Sequence, residues 1–250
     1  MARIFAFANQ KGGVGKTTSS AALAAAFAEQ GKRVLLVDLD PQAGLTTSLG
    51  CDPGTLETTV YQVFTDGAEL ESVARDTRMP NVTLIPANLD LAGAEAELIG
   101  EVAWERTLKD ALEPLIDQYQ RVVLDCPPSL GILTTNALVA ADSVIVPLQC
   151  EFLALRALKQ LQTIVTKVRR KANRNLCVKI LRTMYDSRTH HGREVFEEIA
   201  RVAPDEVLRT YIKRTVRVAD AAAAGETIIT YAKDSEAAQA YRELARELDP

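Results

Sequence analysis

The 250-residue chain lacks a long hydrophobic run. A helix that crosses a membrane needs about 20 consecutive apolar residues, and no segment approaches that length. The first residues, 1–4, lead directly into an apolar strand pattern. We therefore expect no membrane-spanning helix and no signal peptide, and we expect a cytoplasmic protein.

Cysteine is scarce and widely spaced. The sequence has four cysteines, and none of them belongs to a CxxC pair: Cys51, Cys126, Cys150 and Cys177. This spacing excludes the usual zinc motifs and a disulfide framework. We expect reduced thiols that are mostly buried.

The chain also has no Pro/Gly/Ser-rich linker, no internal repeat and no low-complexity tract. Hydrophobic residues make up 47% and charged residues 25%, which is ordinary for a globular protein. A chain of this length forms one large domain or two small ones. Since no linker divides it, we predict one domain over residues 1–250.

Negative charge exceeds positive charge over the whole chain, but the positive charge is concentrated in one region. The net charge is −4, yet the segment from Arg156 to Arg217 has 16 Lys and Arg against 6 Asp and Glu. A basic region within an acidic protein is typical of nucleic-acid binding. Solvated helix faces are the alternative interpretation of the same charges.

The hydrophobic pattern alternates between strands and helices. Apolar runs rich in Val, Ile and Leu indicate strands buried on both faces of a parallel sheet. The predicted strands are residues 4–8, 34–38, 82–86, 121–125, 143–148, 178–184 and 207–212, and the predicted helices are 17–30, 91–118, 134–141, 153–172, 193–201 and 236–248. Residues 51–80 are expected to form loops and short helices over one edge. We predict an α/β fold with a mostly parallel twisted sheet and helices on both faces.

The most informative segment is NQKGGVGKTT at residues 9–18, between the first strand and the first helix. This is the layout of a phosphate-binding loop, in which glycines let backbone amides converge on phosphate oxygens. Lys16 is expected to neutralise the β and γ phosphates, and Thr17 to bind Mg²⁺. Gln10 replaces the usual first glycine, and Lys11 is an additional lysine. The candidate nucleotide-contacting residues are Lys11, Gly12, Gly13, Val14, Gly15, Lys16, Thr17 and Thr18.

Three aspartates follow predicted strands. Asp38 and Asp40 close the second strand and Asp125 closes a later one, so all three are expected at the carboxyl edge, beside the loop. We predict that Asp40 positions the attacking water and contacts the metal, and that Asp125 holds Mg²⁺ through a water ligand. Asp38 is expected to support the lysine or the metal. A turn or helix-capping role is the alternative for one of the first two.

Together these motifs resemble the ParA/MinD family of deviant Walker-A ATPases, and most closely its short ParA (Soj-like) branch. The strongest matches are KGGVGKTT at 11–18, DLDPQ at 38–42 and DCPPS at 125–129, and weaker ones are MYDSRT at 184–189, RTVRV at 214–218 and AAQAYREL at 237–244. The resemblance implies a single-domain P-loop NTPase fold and slow, partner-stimulated ATP hydrolysis with ATP and Mg²⁺. It also implies an ATP-bound homodimer, with Lys11 reaching the phosphates of the other subunit and Gly12 at the dimer face. Lys11, Lys16 and Asp40 are then the catalytic residues.

The same resemblance implies a role in chromosome or plasmid segregation. Such a protein binds double-stranded DNA non-specifically, associates with the nucleoid and is released by a ParB-like partner. Arg188 and Arg217 match the arginines that contact the phosphate backbone in this branch, and Lys213, Arg214 and Lys171 are further candidates. Lys213 stands where the family often has proline.

Other members of this fold suggest alternatives. A MinD-like ATPase needs a basic amphipathic C-terminal helix, whereas residues 241–250 are charge-mixed, so we expect no stable membrane association. An iron–sulfur reductase needs bridging cysteines, for which Cys126 and Cys150 are the candidates. An ATPase that positions a different protein cargo is a third alternative.

Overall fold

The protein is built on one eight-stranded sheet. A computed structural model describes residues 2–151, 154–186 and 190–249, apart from the side chains of residues 190 and 191. The strands are β1 (Arg3–Phe7), β2 (Val34–Asp38), β3 (Arg75–Asp76), β4 (Val82–Ile85), β5 (Arg121–Asp125), β6 (Ser143–Leu148), β7 (Cys177–Tyr185) and β8 (Val207–Lys213).

The strand order is β3-β4-β2-β5-β1-β6-β7-β8. The pairs from β4 to β8 are parallel, and the two-residue β3 adds an antiparallel edge. The central strands β2, β5 and β6 are buried along their whole length, which explains their continuous apolar sequences. The seven predicted strands are confirmed, with ends shifted by one residue at most.

Helices cover both faces. They are α1 (Lys16–Glu29), α2 (Gly44–Ser48), α3 (Val60–Thr65), α4 (Leu70–Val73), α5 (Leu91–Glu97), α6 (Thr107–Leu112), α7 (Ile132–Ala140), α8 (Ala154–Lys171), α9 (His190–Val202), α10 (Arg217–Ala223), α11 (Ile228–Tyr231) and α12 (Glu236–Leu248). Apolar side chains of α1, α11 and α12 form one core layer, and those of α3 and α5–α8 form the other. The α/β fold class is therefore confirmed.

The predicted long helix over 91–118 is wrong. The segment contains α5, a 3₁₀ turn (Trp104–Arg106), α6 and a second 3₁₀ turn (Glu113–Leu115). Gly100 and Ala103 both have positive φ, at 100° and 57°, which a continuous right-handed helix does not allow. Pro114 lies in the second 3₁₀ turn. Proline in the interior of an α-helix removes a hydrogen bond and clashes with the preceding turn, so it also argues against one continuous helix.

The topology brings three strand ends to one place. β1 lies between β5 and β6, and β5 lies between β1 and β2, so the carboxyl ends of β1, β2 and β5 are neighbours. In register, Asp125 faces Phe7 on one side and Asp38 on the other. The loop after β1 therefore lies beside Asp125, with Asp38 one strand further along the same edge.

Within the described part of the chain, none of the helices combines the length and apolar composition needed to span a membrane.

Candidate nucleotide-binding site

The loop between β1 and α1 is shaped by glycines. Gly13 and Gly15 have φ values of 70° and 88°, a region that other residues rarely adopt. Gly15 is the residue before α1, and its carbonyl accepts the backbone N–H of Ser19 at 3.0 Å. The Val14 side chain is buried, and its carbonyl accepts the Thr183 hydroxyl at 2.8 Å. The loop is thus anchored to β7 and leads into a helix N-terminus, the arrangement that favours bound phosphate.

Lys16 is the first residue of α1 and is buried within this loop. Its Nζ lies 3.4 Å from the carbonyl oxygen of Lys11, so the ammonium folds back over the loop. Burial lowers the pKa of Lys16, while the nearby charge of Asp125 opposes that shift. A partly desolvated ammonium at this point attracts a polyanion more strongly than an exposed lysine would.

Asp125 lies fully buried at the end of β5. Burial raises its pKa to about 8, and the neighbouring Asp38 contributes in the same direction. Ser20 Oγ donates to Asp125 Oδ1 at 2.9 Å, and Thr17 also favours the charged carboxylate. The other oxygen, Oδ2, is buried and has no hydrogen-bond partner among the described residues.

This arrangement fits a magnesium ion with its water ligands. An unpartnered buried carboxylate oxygen is costly unless a ligand or water satisfies it. Asp125 Oδ2 and the Thr17 hydroxyl are oxygen donors of the type that Mg²⁺ prefers. Asp125 and Thr17 therefore provide oxygen donors that fit such an ion.

Asp38 accepts hydrogen bonds from the turn and the helix that follow β2. Its carboxylate accepts the backbone N–H groups of Asp40 and Thr46 at 3.0 and 2.9 Å, and the Thr46 hydroxyl at 2.8 Å. Burial raises the pKa of Asp38, and these donors offset part of the shift. Asp38 thus anchors α2 to the end of β2. These contacts agree with the turn or helix-capping role that the sequence leaves open for Asp38 or Asp40.

Asp40 lies in the following turn and is half-buried. Its Oδ1 accepts the backbone N–H of Gln42 at 3.0 Å, and its charge raises the pKa of Lys16 against the effect of burial. The second oxygen of the carboxylate is not part of that turn. Asp40 therefore lies close enough to the loop lysine for their charges to interact.

Lys11 points away from Lys16. Its backbone N–H binds Asn9 Oδ1 at 3.0 Å, whereas its Nζ donates to Gln149 Oε1 at 3.2 Å and forms an ion pair with Glu151. Both partners lie in the segment after β6. The Lys11 side chain is 34% exposed, so it lies at the rim and not inside the loop.

Gly12 and Thr18 lie before and after Lys16 in the loop and the first helix. Gly12 is exposed, and a Cβ built on it would meet no atom within 4 Å. The single subunit therefore gives no steric reason for glycine there. Thr18 is half-buried in the first turn of α1.

The candidate DNA-contacting residues fall at two different edges of the sheet. Lys213 ends β8, and Arg214 and Arg217 follow it at the carboxyl edge; the two arginines are exposed. Lys213 Nζ donates to Glu236 at 3.0 Å. Lys171 ends α8, which runs from the carboxyl end of β6 to the amino end of β7, so it lies at the opposite edge. Arg188 is outside the described residues.

Arg214 also lines a cleft beside the loop. The cleft has a volume of about 360 Å³ and includes Gln149, Glu151 and Met184 in its wall. Gln149 and Glu151, the two side chains that contact Lys11 Nζ, therefore share this cleft wall with Arg214.

Several site residues have no sequence signal of their own. Ser20 and Thr46 bind the buried aspartates, Thr183 holds the loop, and Glu151 pairs with Lys11. Ser20 lies one helical turn after Lys16, a spacing that places both side chains on the same face of α1. The other three come from elements that only the folded sheet brings to the loop.

Comparison with known proteins identifies the family. Residues 2–178 match the family described as AAA domain. The sporulation initiation inhibitor protein Soj of Bacillus subtilis is 45% identical over 99% of this chain and 98% of its own length. The chromosome-partitioning ATPase Soj of Treponema pallidum is 43% identical over 99% of this chain and 97% of its own length.

The chain belongs to the ParA/Soj family of P-loop ATPases. A solved structure agrees: a Mycobacterium smegmatis protein named cobyrinic acid a,c-diamide synthase, with bound ADP and magnesium, has a TM-score of 0.88. It is 45% identical, over 99% of this chain and 94% of that one. The ParA/Soj assignment accounts for the loop, for the two aspartates beside it and for the parallel sheet.

A second match, to the family described as 4Fe-4S iron sulfur cluster binding proteins, NifH/frxC family, covers residues 134–250. Cluster ligation requires accessible thiolates. Cys126 is fully buried, which raises the pKa of its thiol, and partial burial raises the pKa of Cys150 to about 11. These two thiols are thus poor candidates for cluster ligands. The nucleotide loop, and not a cluster site, is the feature that this chain shares with the ParA/Soj family.

Proposed function

We propose that this protein is a ParA-type partition ATPase whose ATP-bound homodimer binds DNA non-specifically. Hydrolysis, slow alone and stimulated by a ParB-like centromere-binding partner, separates the dimer and releases it from the nucleoid. This cycle moves a chromosome or plasmid. The observation that carries the proposal is the opposite orientation of Lys16 and Lys11.

Lys16 serves the subunit's own loop, where it is buried and close to the carbonyl of Lys11. Lys11 is directed outward, toward Gln149 and Glu151. Its ion pair with Glu151 is largely exposed, and such pairs contribute about 0–1 kcal/mol. Lys11 can therefore leave Glu151 at little cost when the phosphates of a second subunit come within reach.

The remaining roles follow from position. The glycine-loop amides and Lys16 bind the phosphates, and Asp40 orients the attacking water. Asp125, through water, and Thr17 hold Mg²⁺, which neutralises charge on the β and γ phosphates when it is bound. Gly12, exposed and with open space where a Cβ would lie, leaves room for close approach of the second subunit.

For DNA, we propose the carboxyl-edge group Lys213, Arg214 and Arg217. Arg214 borders the cleft that contains the partners of Lys11, so nucleotide-dependent dimerisation and DNA binding would share one region. Lys171 is the last residue of the 18-residue α8, which starts at the carboxyl edge of the sheet. It lies about 27 Å along the helix axis from the start of α8.

The test compares two matched charge reversals in the presence of ATP and Mg²⁺. Arg217→Glu should weaken binding to a random-sequence duplex at least about tenfold and lower the salt dependence of binding. Lys171→Glu makes the same charge change at the opposite edge and should have a small effect. Sedimentation with ATP should show that both variants still dimerise.

If both variants bind DNA as the wild type does at low salt, the DNA-binding proposal is wrong. If Lys171→Glu has the larger effect, the DNA surface lies at the amino edge. The name of the solved Mycobacterium protein suggests amidation of cobyrinic acid as a second activity on this fold. Turnover of cobyrinic acid without any response to DNA would favour that activity.

A further inference from the structure

The N-terminus of α7 is capped by a different helix. The residue before α7 is Gly131, which has no side chain to cap it. Instead, Glu95 Oε1 of α5 accepts the backbone N–H of Ile132 at 2.9 Å and that of Leu133 at 3.4 Å. A carboxylate at this position satisfies amides that the helix leaves unpaired and interacts favourably with the helix dipole.

The segment in front of α7 is the loop that follows Asp125, residues 126–131. At its start, the Cys126 backbone N–H donates to the Phe7 carbonyl at 3.1 Å. Near its end, the Thr134 hydroxyl donates to the Ser129 carbonyl at 2.6 Å. The loop between the magnesium-side carboxylate and α7 is therefore held at both ends, and Glu95 fixes the far end.

The glycine at 131 is explained by Glu95. Gly131 has a φ of −86°, so its backbone conformation does not require glycine. A Cβ there would overlap Glu95 Oε1 and lie 3.2 Å from Glu95 Cδ. Any side chain at 131 must therefore displace the carboxylate from the helix end.

We propose that Glu95 is a positioning residue for ATP hydrolysis, acting through α7 on the loop 126–131. The inference rests on the proposed function, in which Asp125, the residue immediately before this loop, holds the Mg²⁺ that neutralises the β and γ phosphates. Because Lys16 and the glycine loop belong to a separate segment, Glu95 should govern the hydrolysis step and leave ATP affinity unchanged.

The test measures steady-state ATP hydrolysis by Glu95→Ala, Glu95→Gln, Gly131→Ala and the double variant. Glu95→Ala should lower kcat roughly ten- to a hundredfold, with KM within about twofold, since small misplacement of a reacting group has effects of this size. Glu95→Gln keeps an acceptor oxygen and should recover most of kcat. Gly131→Ala should resemble Glu95→Ala, and the double variant should be no worse than either.

Glu97→Ala is the matched control because it removes a carboxylate of the same helix that binds the Tyr61 hydroxyl and not α7. It should retain wild-type kcat. Unchanged kcat in Glu95→Ala, a rise in KM alone, or additive losses in the double variant would each overturn the role of Glu95.

Hydrogen exchange separates this inference from the proposed function. A non-hydrolysable ATP analogue with Mg²⁺ should protect peptides covering 126–133 in the wild type, and Glu95→Ala should bind the analogue without gaining that protection. Equal protection in both proteins would contradict the inference. A wild type that hydrolyses ATP but binds no DNA would refute the proposed function, and the kcat and exchange results would still decide on Glu95.

Discussion

At the residue scale, the site depends on where two similar side chains are placed. Asp38 and Asp125 are neighbours in register, and both are fully buried. Asp38 has three donors, whereas Asp125 keeps one oxygen without a partner. The two residues therefore differ in their hydrogen bonding, although both end an apolar strand in the sequence.

Asp125 should make the stability of the nucleotide-free protein depend on pH. Its pKa is raised from 3.8 to about 8 in the folded state, so between these values the folded state binds more protons than the unfolded state. The free energy of unfolding should fall as pH rises through this window, at up to about 1.4 kcal/mol per pH unit. Denaturant unfolding at pH 5–8 measures the slope.

Asp125→Asn removes this ionisation and should flatten the slope between pH 6 and 8, where Asp38, with a pKa raised to about 6, contributes less. The exposed Asp117→Asn is the control and should keep the wild-type slope. An unchanged slope in Asp125→Asn would show that its carboxyl ionises normally in the folded protein.

At the element scale, α12 is an integral part of the core. Its apolar face packs against α1 and β8, and its Tyr241 hydroxyl binds Ser19 Oγ at 3.0 Å. Past its end, Asp249 forms ion pairs with Arg3 and Arg121. An apolar helix face that is already buried is not available to a lipid bilayer, which argues against the MinD-like alternative for this helix.

Leu244→Ala should therefore destabilise the fold. Leu244 is fully buried between these elements, and truncating such a side chain typically costs about 2–5 kcal/mol. The exposed Arg246→Ala on the same helix should change the free energy of unfolding by less than about 0.5 kcal/mol. Urea denaturation compares the two, and a similar small loss in both would mean that α12 is only loosely docked.

At the scale of the whole molecule, the proposed cycle needs two subunits. Lys11→Ala should bind ATP almost as well as the wild type but remain monomeric with ATP and Mg²⁺, since its side chain does not enter its own loop. Lys16→Ala should instead lose ATP affinity about ten- to a hundredfold, as expected when a charged hydrogen-bond partner is removed. Isothermal titration and analytical ultracentrifugation measure the two effects.

Dimerisation of Lys11→Ala at the wild-type level would exclude a role for Lys11 in the partner's site. Retained affinity in Lys16→Ala would exclude the loop as the phosphate site.

The sequence by itself determined the class of fold and the nucleotide loop. Continuous Val, Ile and Leu runs require burial on both faces, and a glycine turn with lysine and threonine before a helix has few uses other than phosphate binding. It did not reveal the break at Gly100 and Ala103, because a left-handed residue within a helical pattern has little periodic signal. The short helices α2, α3, α10 and α11 were also below the length at which periodicity is informative.

The tertiary structure decided which chemical groups meet. Strand order places Asp38 and Asp125 side by side, and only their hydrogen-bond partners distinguish an anchor of α2 from a carboxylate with an unpaired oxygen. Crossover direction puts Lys171 and Arg217 at opposite edges, although the sequence groups them in one basic region. The contact of Glu95 with α7 joins residues 37 positions apart. Such non-local contacts depend on packing, which no local pattern in the sequence encodes.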